Sequence, residues 1–463
     1  MALALLLTAL FYKTPALSAP RWSREVFVWP LTFALIFLYW QGAKTVLAET
    51  TPLKRIGWSG VLWAVLAVLI PAFHSTDIYG YINRGWQQLH YGLNPYVFTI
   101  DHIPNWHADP MITNHWVNNP SPYGFLYLLI AKLLCWVGQG NKALTVLVFK
   151  GFNALLYLGT AALIWLGARH LEQKGPDTVR ERFNPNWAVY LYLWNPLVLI
   201  HSLGNGHNDM LMGFFVTLAA LSALLGGWFW ILPALMAATL IKYGALVILP
   251  LAFLFLLKNK AWVALGAGLA LAILVFAVTG LPYLPDWRQF HLAEINHNAF
   301  VSHGSLHSFV YSLFKYIDKT ILPALHPHRE WVRGILKNGL LGAYALFFAG
   351  LCWRRFRQSG YPASQWIQDA LLVMAVLIGL ISLKFYPWYL GMFFPLVFYL
   401  PHEHWLRRLL IPLSCAQLFS ITFIGQAHLL NFLVMTALPI LWFLWKQKTD
   451  KPLPVSGSGS EVA

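Results

Sequence analysis

Residues 58–73 read WSGVLWAVLAVLIPAF, and residues 74–96 follow directly with HSTDIYGYINRGWQQLHYGLNPY. The first run has the composition of a membrane helix, and the second places an acid, Asp77, a few residues beyond its end. An ionisable side chain in or beside a bilayer is costly unless it has a role, so a functional role is the default hypothesis for Asp77. The alternative is structural, since Ser75, Thr76 or Asp77 could cap an interfacial helix over residues 78–90.

Composition assigns the whole chain to a membrane. Hydrophobic residues make up 58% of it and charged residues only 11%, whereas about a quarter of a soluble domain is charged. The net charge of +15 does not indicate a nucleic-acid partner, because the basic residues lie in short loops between apolar runs, where they orient a membrane protein. We therefore predict an all-α polytopic membrane protein that binds membrane lipid and no nucleic acid.

Apolar runs mark the candidate membrane helices, and we expect about 12 spans because some runs look like half-helices or re-entrant segments. The first run is interpreted as a short membrane helix, since it lacks the basic start and the cleavage site of a signal peptide. Residues 1–453 are predicted to form one membrane domain, followed by a disordered Ser/Gly-rich tail at 454–463. The candidate helices are residues 2–13, 26–47, 57–74, 123–138, 142–168, 187–202, 208–226, 228–257, 261–280, 333–353, 365–383, 388–401, 406–424 and 428–446.

Lysine and arginine positions set the predicted orientation, because cytoplasmic loops carry an excess of both residues. This rule places two long loops, residues 74–121 and 281–331, on the extracytoplasmic side, and the first contains a single basic residue, Arg84. The basic clusters predicted to be cytoplasmic are residues 54–55, 354–357, 407–408 and 446–451.

Two places do not fit a simple series of spans. The basic residues between 169 and 182 look cytoplasmic, although two spans between 122 and 168 would return them to the outside. The apolar segment 228–257 is long and contains Lys242, so two half-helices that meet near this lysine fit better than one straight span.

Polar residues that interrupt apolar runs are the further candidates for a site. His207, Asn208 and Asp209 could hydrogen-bond sugar hydroxyls or a phosphate, or could simply cap a helix. A buried Lys242 would need an anionic partner, either a lipid phosphate or Asp209, unless it extends to the membrane interface. The candidates therefore lie at the start of the predicted helix 208–226 and inside the predicted segment 228–257.

The stretch 384–389, KFYPWY, opens a segment on the predicted outer side. Its aromatic faces could stack on a sugar ring, or could belong to the aromatic belt of a membrane protein. Lys384 or Arg84 could neutralise a phosphate.

Metal and redox chemistry have little support in the sequence. The three cysteines, Cys135, Cys352 and Cys415, lie far apart in apolar runs, as is typical of small buried residues. No pair of histidines has the spacing of a helical zinc motif, and no Asp-x-Asp motif of a nucleotide-sugar enzyme occurs. We expect no metal site and no cofactor.

An ordered series of motifs resembles a known family. The series is Asp77-x-Tyr79-x-Tyr81, Gly92-Leu-Asn94-Pro95-Tyr96, Ser121-Pro122-Tyr123-Gly124, Asn195-Pro196-Leu197, Gly206-His207-Asn208-Asp209, Lys242 and Pro387-Trp388-Tyr389. It is similar to the polyprenyl-phosphate-mannose-dependent α-mannosyltransferases of the GT-C class, above all to bacterial α-1,6-mannosyltransferases that build lipomannan cores. The resemblance covers roughly residues 74–390.

The resemblance implies a GT-C-like helix bundle that transfers a hexose, with mannose favoured, from a polyprenyl-phosphate donor to a glycan or glycolipid. The reaction would occur with inversion on the outer side of a bacterial plasma membrane. Asp77 matches the general base of the family. The family often has an arginine before this acid where Thr76 stands here, so Arg84 is a candidate replacement. The proposed substrate-binding residues are Tyr79, Tyr81, Arg84, Tyr123, His207, Asn208, Asp209, Lys242, Lys384, Trp388 and Tyr389.

Two other function classes are weaker alternatives. A transporter or flippase of lipid-linked sugars would often show repeated halves with paired broken helices, and no convincing repeat is visible. A glycan polymerase or ligase would favour a late loop rich in arginine and histidine, but residues 281–331 contain only Arg288 and Arg329 besides their histidines.

Overall fold

The computed structural model describes residues 21–49, 51–72, 75–174, 183–291, 304–322, 327–419 and 432–449. These residues form helices joined by turns and contain no β-strand, which confirms the predicted all-α class. The predicted helix at 2–13 and the tail at 454–463 lie outside the described residues, as do the end of the predicted segment 406–424 and the start of 428–446.

The helices are numbered here in chain order. The α-helices are α1 (Arg21–Ala48), α2 (Leu53–Leu69), α3 (Asp77–His90), α4 (Phe125–Val137), α5 (Lys142–Lys174), α6 (Pro185–Leu193), α7 (Asp209–Leu225), α8 (Ile231–Thr239), α9 (Leu249–Lys258), α10 (Trp262–Gly280), α11 (Leu306–Thr320), α12 (Arg329–Arg357), α13 (Ala363–Val376), α14 (Trp405–Ala416) and α15 (Leu438–Thr449). Short 3-10 or π-helical segments lie at Ile100–His102, Trp106–Ala108, Val198–Gly204, Trp228–Trp230, Tyr243–Ile248, Leu284–Gln289, Leu377–Ile381, Pro387–Met392, Phe394–Tyr399, Gln417–Phe419 and Leu433–Ala437.

Among the described residues, 5 helices are long and apolar enough to cross a bilayer. They are Trp29–Ala48 within α1, α5, α10, α12, and α13 with its continuation to Ile381. A sixth candidate is the π-helical segment Val198–Gly204 with α7, two pieces that meet at 110°. The figure of about 12 spans therefore stays a prediction beyond these five or six.

The outer surface of these helices is apolar, as a bilayer requires. In α10, Val263 is 86% exposed and Ile273 is 57% exposed. The buried residues of the same helix include Gly268 and Ala272, whose small size lets neighbouring helices approach closely. Large apolar residues outside and small residues inside are the arrangement of a membrane protein, in agreement with the composition.

Several segments predicted as continuous helices are broken in the structure. The segment 388–401 is not an α-helix, so that prediction is wrong: it forms the 3-10 segments Pro387–Met392 and Phe394–Tyr399. Each 3-10 segment has a proline in its first turn, and a proline removes one backbone donor and fixes φ, which prevents one uninterrupted helix. The expected break near Lys242 is present, because α8 ends at Thr239 and a 3-10 segment starts at Tyr243.

The first long loop folds back on its own helix. Within residues 74–121, α3 carries Asn83, whose amide donates to the carbonyls of Thr113 and His115 at 2.9 and 3.0 Å. The α3 residue Gln88 donates to the carbonyl of Leu128 in α4 at 3.2 Å. The Asn83 bonds hold the loop against α3, and the Gln88 bond joins α3 to α4.

Candidate active site

Asp77 is the first residue of α3, and Thr76 occupies the N-cap position. The Asp77 amide donates to the hydroxyl of Ser75 at 3.2 Å, while the amide of Tyr79 donates to the carbonyl of Thr76 at 3.0 Å. The Asp77 carboxylate is therefore not the capping group of the helix. Its side chain is 20% exposed, so it is sheltered but open to a ligand.

The protonation of Asp77 is set by its surroundings. Burial raises the pKa of the Asp77 carboxyl to about 6, and the negative charge of Asp209 adds to this rise. Lys242, Ser75 and Lys384 oppose it by favouring the ionised form. A carboxylate whose pKa lies near the working pH is well suited to general base catalysis, because it is ionised yet has appreciable proton affinity.

His207 is the ion-pair partner of the Asp77 carboxylate. Its Nδ1 lies 3.5 Å from Asp77 Oδ2. The His207 ring stacks on Trp388 at 4.1 Å between ring centroids, and Trp388 stacks on Tyr386 at 4.6 Å. The stack fixes the imidazole plane, so His207 can hold the Asp77 carboxylate in one orientation.

A glycine turn brings His207 to Asp77. Gly206 has a φ of +70°, and a Cβ there would lie 2.7 Å from Ile78 Cδ1. Glycine adopts this left-handed conformation without strain, and a larger residue would also have to displace the end of the Ile78 side chain. The amide of Asn153 in α5 fixes the turn from the other side by donating to the carbonyls of Ser202 and His207 at 3.2 and 3.1 Å.

Asp209 and Lys242 form the second charged group of the site. Lys242 Nζ donates to Asp209 Oδ1 at 2.7 Å and lies 4.7 Å from the ring centroid of Tyr389. Asp209 is buried, while the Lys242 side chain is 18% exposed. Asp209 is thus the anionic partner expected for Lys242, and the lysine also faces the space near Asp77.

Three tyrosines pack where α3, α4 and α7 meet. The Tyr81 hydroxyl donates to Asn208 Oδ1 at 3.2 Å, and the Tyr81 ring packs edge-to-face on Tyr123 and Tyr127, each at 5.2 Å. The amide of Gly124 donates to the carbonyl of Ile241 at 3.2 Å. The start of α4 is therefore joined to the break that carries Lys242.

Lys384 belongs to the same electrostatic neighbourhood. Burial lowers the pKa of Lys384 below its ordinary value, and the negative charge of Asp77 partly offsets this change. Lys384 precedes the 3-10 segment Pro387–Met392, and its positive charge in turn favours the ionised form of Asp77.

Two predicted site residues have other contacts. The buried Arg84 donates from Nη1 to Gln87 Oε1 at 3.2 Å, and from Nη2 to the carbonyls of Trp116, at 2.9 Å, and of Asn119. Because the guanidinium is occupied by the loop it holds together, its contacts do not support Arg84 as a substitute for the family arginine. Tyr79 stacks on His115 at 5.6 Å.

Sequence reasoning missed three residues of this region. The predicted site residues do not include Tyr386, which belongs to the aromatic stretch 384–389 and stacks on Trp388. His201 is buried at 5.7 Å from the Trp388 ring. Asn153 could have been predicted as a contact residue, since an amide inside a long apolar helix usually has a partner on another helix.

The geometry combines the Asp77 carboxylate, two lysines and aromatic side chains in one region of the molecule. Within the described ranges, no three His, Cys, Asp or Glu side chains are grouped as metal ligands would be. The arrangement can deprotonate a hydroxyl at Asp77 and stabilise negative charge beside Lys242 and Lys384.

Comparison with known proteins gives the family. Residues 9–258 match the family model described as Alpha-(1->6)-mannopyranosyltransferase, N-terminal domain. The alpha-(1->6)-mannopyranosyltransferase A of Corynebacterium glutamicum is 26% identical over 429 residues, which are 86% of this chain and 82% of that protein. The alpha-(1->6)-mannopyranosyltransferase A of Mycobacterium tuberculosis is 32% identical over 185 residues, 38% of this chain and 32% of that protein, so this match spans about a third of its length.

The match to the family model includes Asp77, the residues 206–209 and Lys242. The residues that the structure brings together are thus mostly inside the matched region, and residues 384–389 lie beyond it. Since the model matches more than half of the sequence, the chain belongs to the alpha-(1->6)-mannopyranosyltransferase family.

Proposed function

We propose that this protein is a multi-pass mannosyltransferase that moves a mannosyl residue from a polyprenyl-phosphate donor to a glycan or glycolipid acceptor, with Asp77 as general base. The family membership supports the class of reaction. The observation that supports the mechanism is Asp77 itself, a partly open carboxylate at a helix end with a pKa of about 6 and two lysines nearby.

The proposed reaction is a single displacement with inversion. The acceptor hydroxyl oxygen attacks the anomeric carbon, and its proton passes to the Asp77 carboxylate. The bond from the anomeric carbon to the phosphate oxygen breaks, and its electron pair leaves with the phosphate. A phosphate is already a good leaving group, so it needs positive charge beside it rather than a strong acid. Lys384 and Lys242 are placed to supply that charge.

The aromatic residues are proposed to act in two ways. Trp388 is only 6% exposed, so its contribution is to hold His207 through the stack. Tyr386 and Tyr389 are half-buried and pack edge-to-face at 5.6 Å. Their open edges can contact the sugar that approaches Asp77.

The membrane position proposed for the site follows from α2. This helix begins beside Lys54 and Arg55 and has 17 residues, which is about 25 Å at 1.5 Å per residue. Asp77 follows its other end. Because basic residues favour the cytoplasmic side, the site is proposed to lie on the extracytoplasmic side of the plasma membrane, where a lipid-anchored donor holds its reacting carbon near the surface.

The test is transfer by the purified full-length protein in nanodiscs. Polyprenyl-phosphate mannose and GDP-mannose are offered separately, and the product is identified by mass and linkage. We expect transfer from the lipid donor only, and a loss of about 10²–10⁴-fold in the turnover number for Asp77→Asn. Asp101→Asn is the matched control, since Asp101 is an acid of the same loop with a side chain 40% exposed, and it should keep wild-type turnover.

Each part of the proposal can fail separately. Wild-type turnover by the Asp77→Asn variant would exclude Asp77 as the base. Equal or faster transfer from GDP-mannose would exclude the lipid donor while leaving the mannosyltransferase class intact.

A further inference from the structure

A second site candidate lies far from Asp77. A cavity of about 390 Å³ opens between α1, α6, α14, α15 and the turn that precedes α14. Its lining combines cations and aromatic rings, and the residues that matter for the argument are Trp187, His402, Arg407, Arg408, Trp442 and Lys446. Nothing in the transfer reaction uses these residues.

The central feature of this cavity is the buried guanidinium of Arg407. Arg407 is only 2% exposed, and Nη1 donates to the carbonyl of Leu400 at 2.8 Å. The guanidinium carbon lies 4.9 Å from the ring centroid of Trp187. In the part of the chain that the structure describes, Nε and Nη2 of Arg407 have no hydrogen-bond partner. Burying donors of a charged group without acceptors is costly, so these two atoms favour an acceptor group that enters the cavity.

The neighbouring side chains complete an anion-binding surface. His402 stacks on the same Trp187 ring at 4.7 Å, and its Nε2 likewise has no hydrogen-bond partner within the described ranges. Arg408 and Lys446 line the cavity as well, and Lys446 Nζ lies 5.3 Å from the ring centroid of Trp442. Burial lowers the pKa of both His402 and Arg407, and Glu403 is an acid whose negative charge raises the pKa of both groups. Three cations and an imidazole still outnumber this carboxylate, and the excess positive charge favours a phosphate group.

The cavity lies at the end of the molecule opposite to Asp77. Trp187 donates from Nε1 to the carbonyl of Ala43 at 3.0 Å, and Asn186 donates to the carbonyl of Thr51 at 3.1 Å. The cavity is thus beside the start of α2, whereas Asp77 follows its end, about 25 Å away along the helix. It is separate from the catalytic site and from the donor that this site would hold.

We infer that this cavity binds the headgroup phosphodiester of an anionic phospholipid in the leaflet opposite to the active site. The choice of a lipid over a free ion rests on the flank of the cavity. Trp442 lines it, and the adjoining residues of α15 are exposed and apolar, with Leu441 at 59% and Trp445 at 63%. A phospholipid can place its phosphate beside Arg407 and its acyl chains along this face, as basic pockets between membrane helices do.

The experiment measures lipid retention by the full-length protein. The protein is purified from detergent in an equimolar mixture of phosphatidylglycerol and phosphatidylcholine, and the bound lipid is counted by native mass spectrometry. The wild type should retain phosphatidylglycerol in preference to phosphatidylcholine. The double variant Arg408→Gln/Lys446→Gln should lower this retention by at least about tenfold, since each cation near an anionic lipid contributes roughly fivefold.

The test uses the double variant Arg408→Gln/Lys446→Gln, because Arg407 is buried and Arg407→Met could disturb folding. Retained mannosyl transfer shows that the double variant is folded, and Arg354→Gln, an exposed arginine at the end of α12, is the control that should keep wild-type retention. Equal retention of the two lipids, or unchanged phosphatidylglycerol in the double variant, would overturn the inference. Displacement of the lipid by millimolar inorganic phosphate would also overturn it, because the cavity would then bind the ion alone.

Discussion

Two buried ion pairs of this protein differ in how completely they are satisfied. Arg355 holds Asp369 with two bonds, from Nε at 2.6 Å and from Nη2 at 2.8 Å, and the Tyr361 hydroxyl donates to the same carboxylate at 2.7 Å. Lys242 holds Asp209 with one bond at 2.7 Å. Asp209 Oδ2 has no hydrogen-bond partner within the described ranges, and Lys242 is partly open.

We propose that this difference separates a structural pair from a functional one. A buried carboxylate whose two oxygens are both bonded joins two helices and has nothing left for a ligand. A pair with an open acceptor and an accessible cation can exchange its partner for a substrate group. The second pair acts on the pKa of Asp77. If this pair binds a substrate group, substrate binding and the protonation of Asp77 influence each other.

The largest effect is expected at the Arg355–Asp369 pair, whose carboxylate accepts three hydrogen bonds. Arg355→Met leaves Asp369 and Tyr361 buried without their cation, and breaking one partner of a buried pair costs about 3–5 kcal/mol of the free energy of unfolding. The midpoint of unfolding in detergent should fall, while transfer by the molecules that stay folded is unchanged. Arg354→Met, the exposed neighbour, should leave the midpoint in place. A lower turnover number for folded Arg355→Met would mean that this pair also serves the reaction.

The open pair, Asp209–Lys242, should respond in the opposite way, with a large change in turnover and a small change in unfolding. Asp209→Asn/Lys242→Met removes both charges together, so no unpaired charge is left buried and unfolding should change little. The turnover number should fall by about 10²–10³-fold, as it does when one group that stabilises transition-state charge is removed. The matched double variant Arg355→Met/Asp369→Asn should keep its turnover. If both double variants transfer at the wild-type rate, the distinction between the two pairs is wrong.

The pH dependence of transfer tests the link between Asp77 and the open pair. The ratio kcat/KM should rise about tenfold per pH unit up to the pKa of Asp77 and level off above it, with the bend at about pH 6. Lys242 lowers this pKa, so in Lys242→Met the bend should move to higher pH. Arg355→Met should leave it in place. A bend that does not move in Lys242→Met would show that the lysine does not act on the base.

The smallest effect is expected from the aromatic stack. Trp388→Phe keeps an aromatic ring but reduces its overlap with His207, and an aromatic pair contributes about 0.5–1.5 kcal/mol. Turnover should fall by roughly two- to tenfold, with the same bend in the pH profile. Trp353→Phe, an exposed residue of α12, is the control. A loss as large as that of Asp77→Asn would give Trp388 a direct part in the reaction.

Much of the candidate site was predictable because its residues interrupt apolar runs. Asp77, residues 207–209 and Lys242 all stand at helix ends or breaks, where a polar residue in an apolar chain is visible without any structure. The structure joins them as an interacting group. Arg84 shows the limit of this reasoning, because the sequence makes it a candidate replacement for the family arginine, whereas its guanidinium donates to Gln87 and to loop carbonyls.

The fold was predictable in class and less so in detail. Composition fixes a helical membrane protein, since a bilayer requires backbone bonds to be satisfied within each segment. Hydropathy did not foresee that residues 388–401 form two 3-10 segments. Gly213 allows this arrangement, because a Cβ there would lie 2.1 Å from the carbonyl oxygen of Gly391. Such a close contact depends on a glycine that lies far from residue 391 in the chain, so it leaves no local pattern.

The sequence by itself determined the membrane class, the family and the identity of the acid at the start of α3, because the cost of a polar residue beside a bilayer is local. Only the tertiary structure decided the rest. It paired Lys242 with Asp209, placed His207 on Asp77 and left the Arg407 guanidinium facing a cavity at the other end. Whether a charged side chain is structural or functional depends on how many partners reach it, and those partners come from helices that are far apart in the chain.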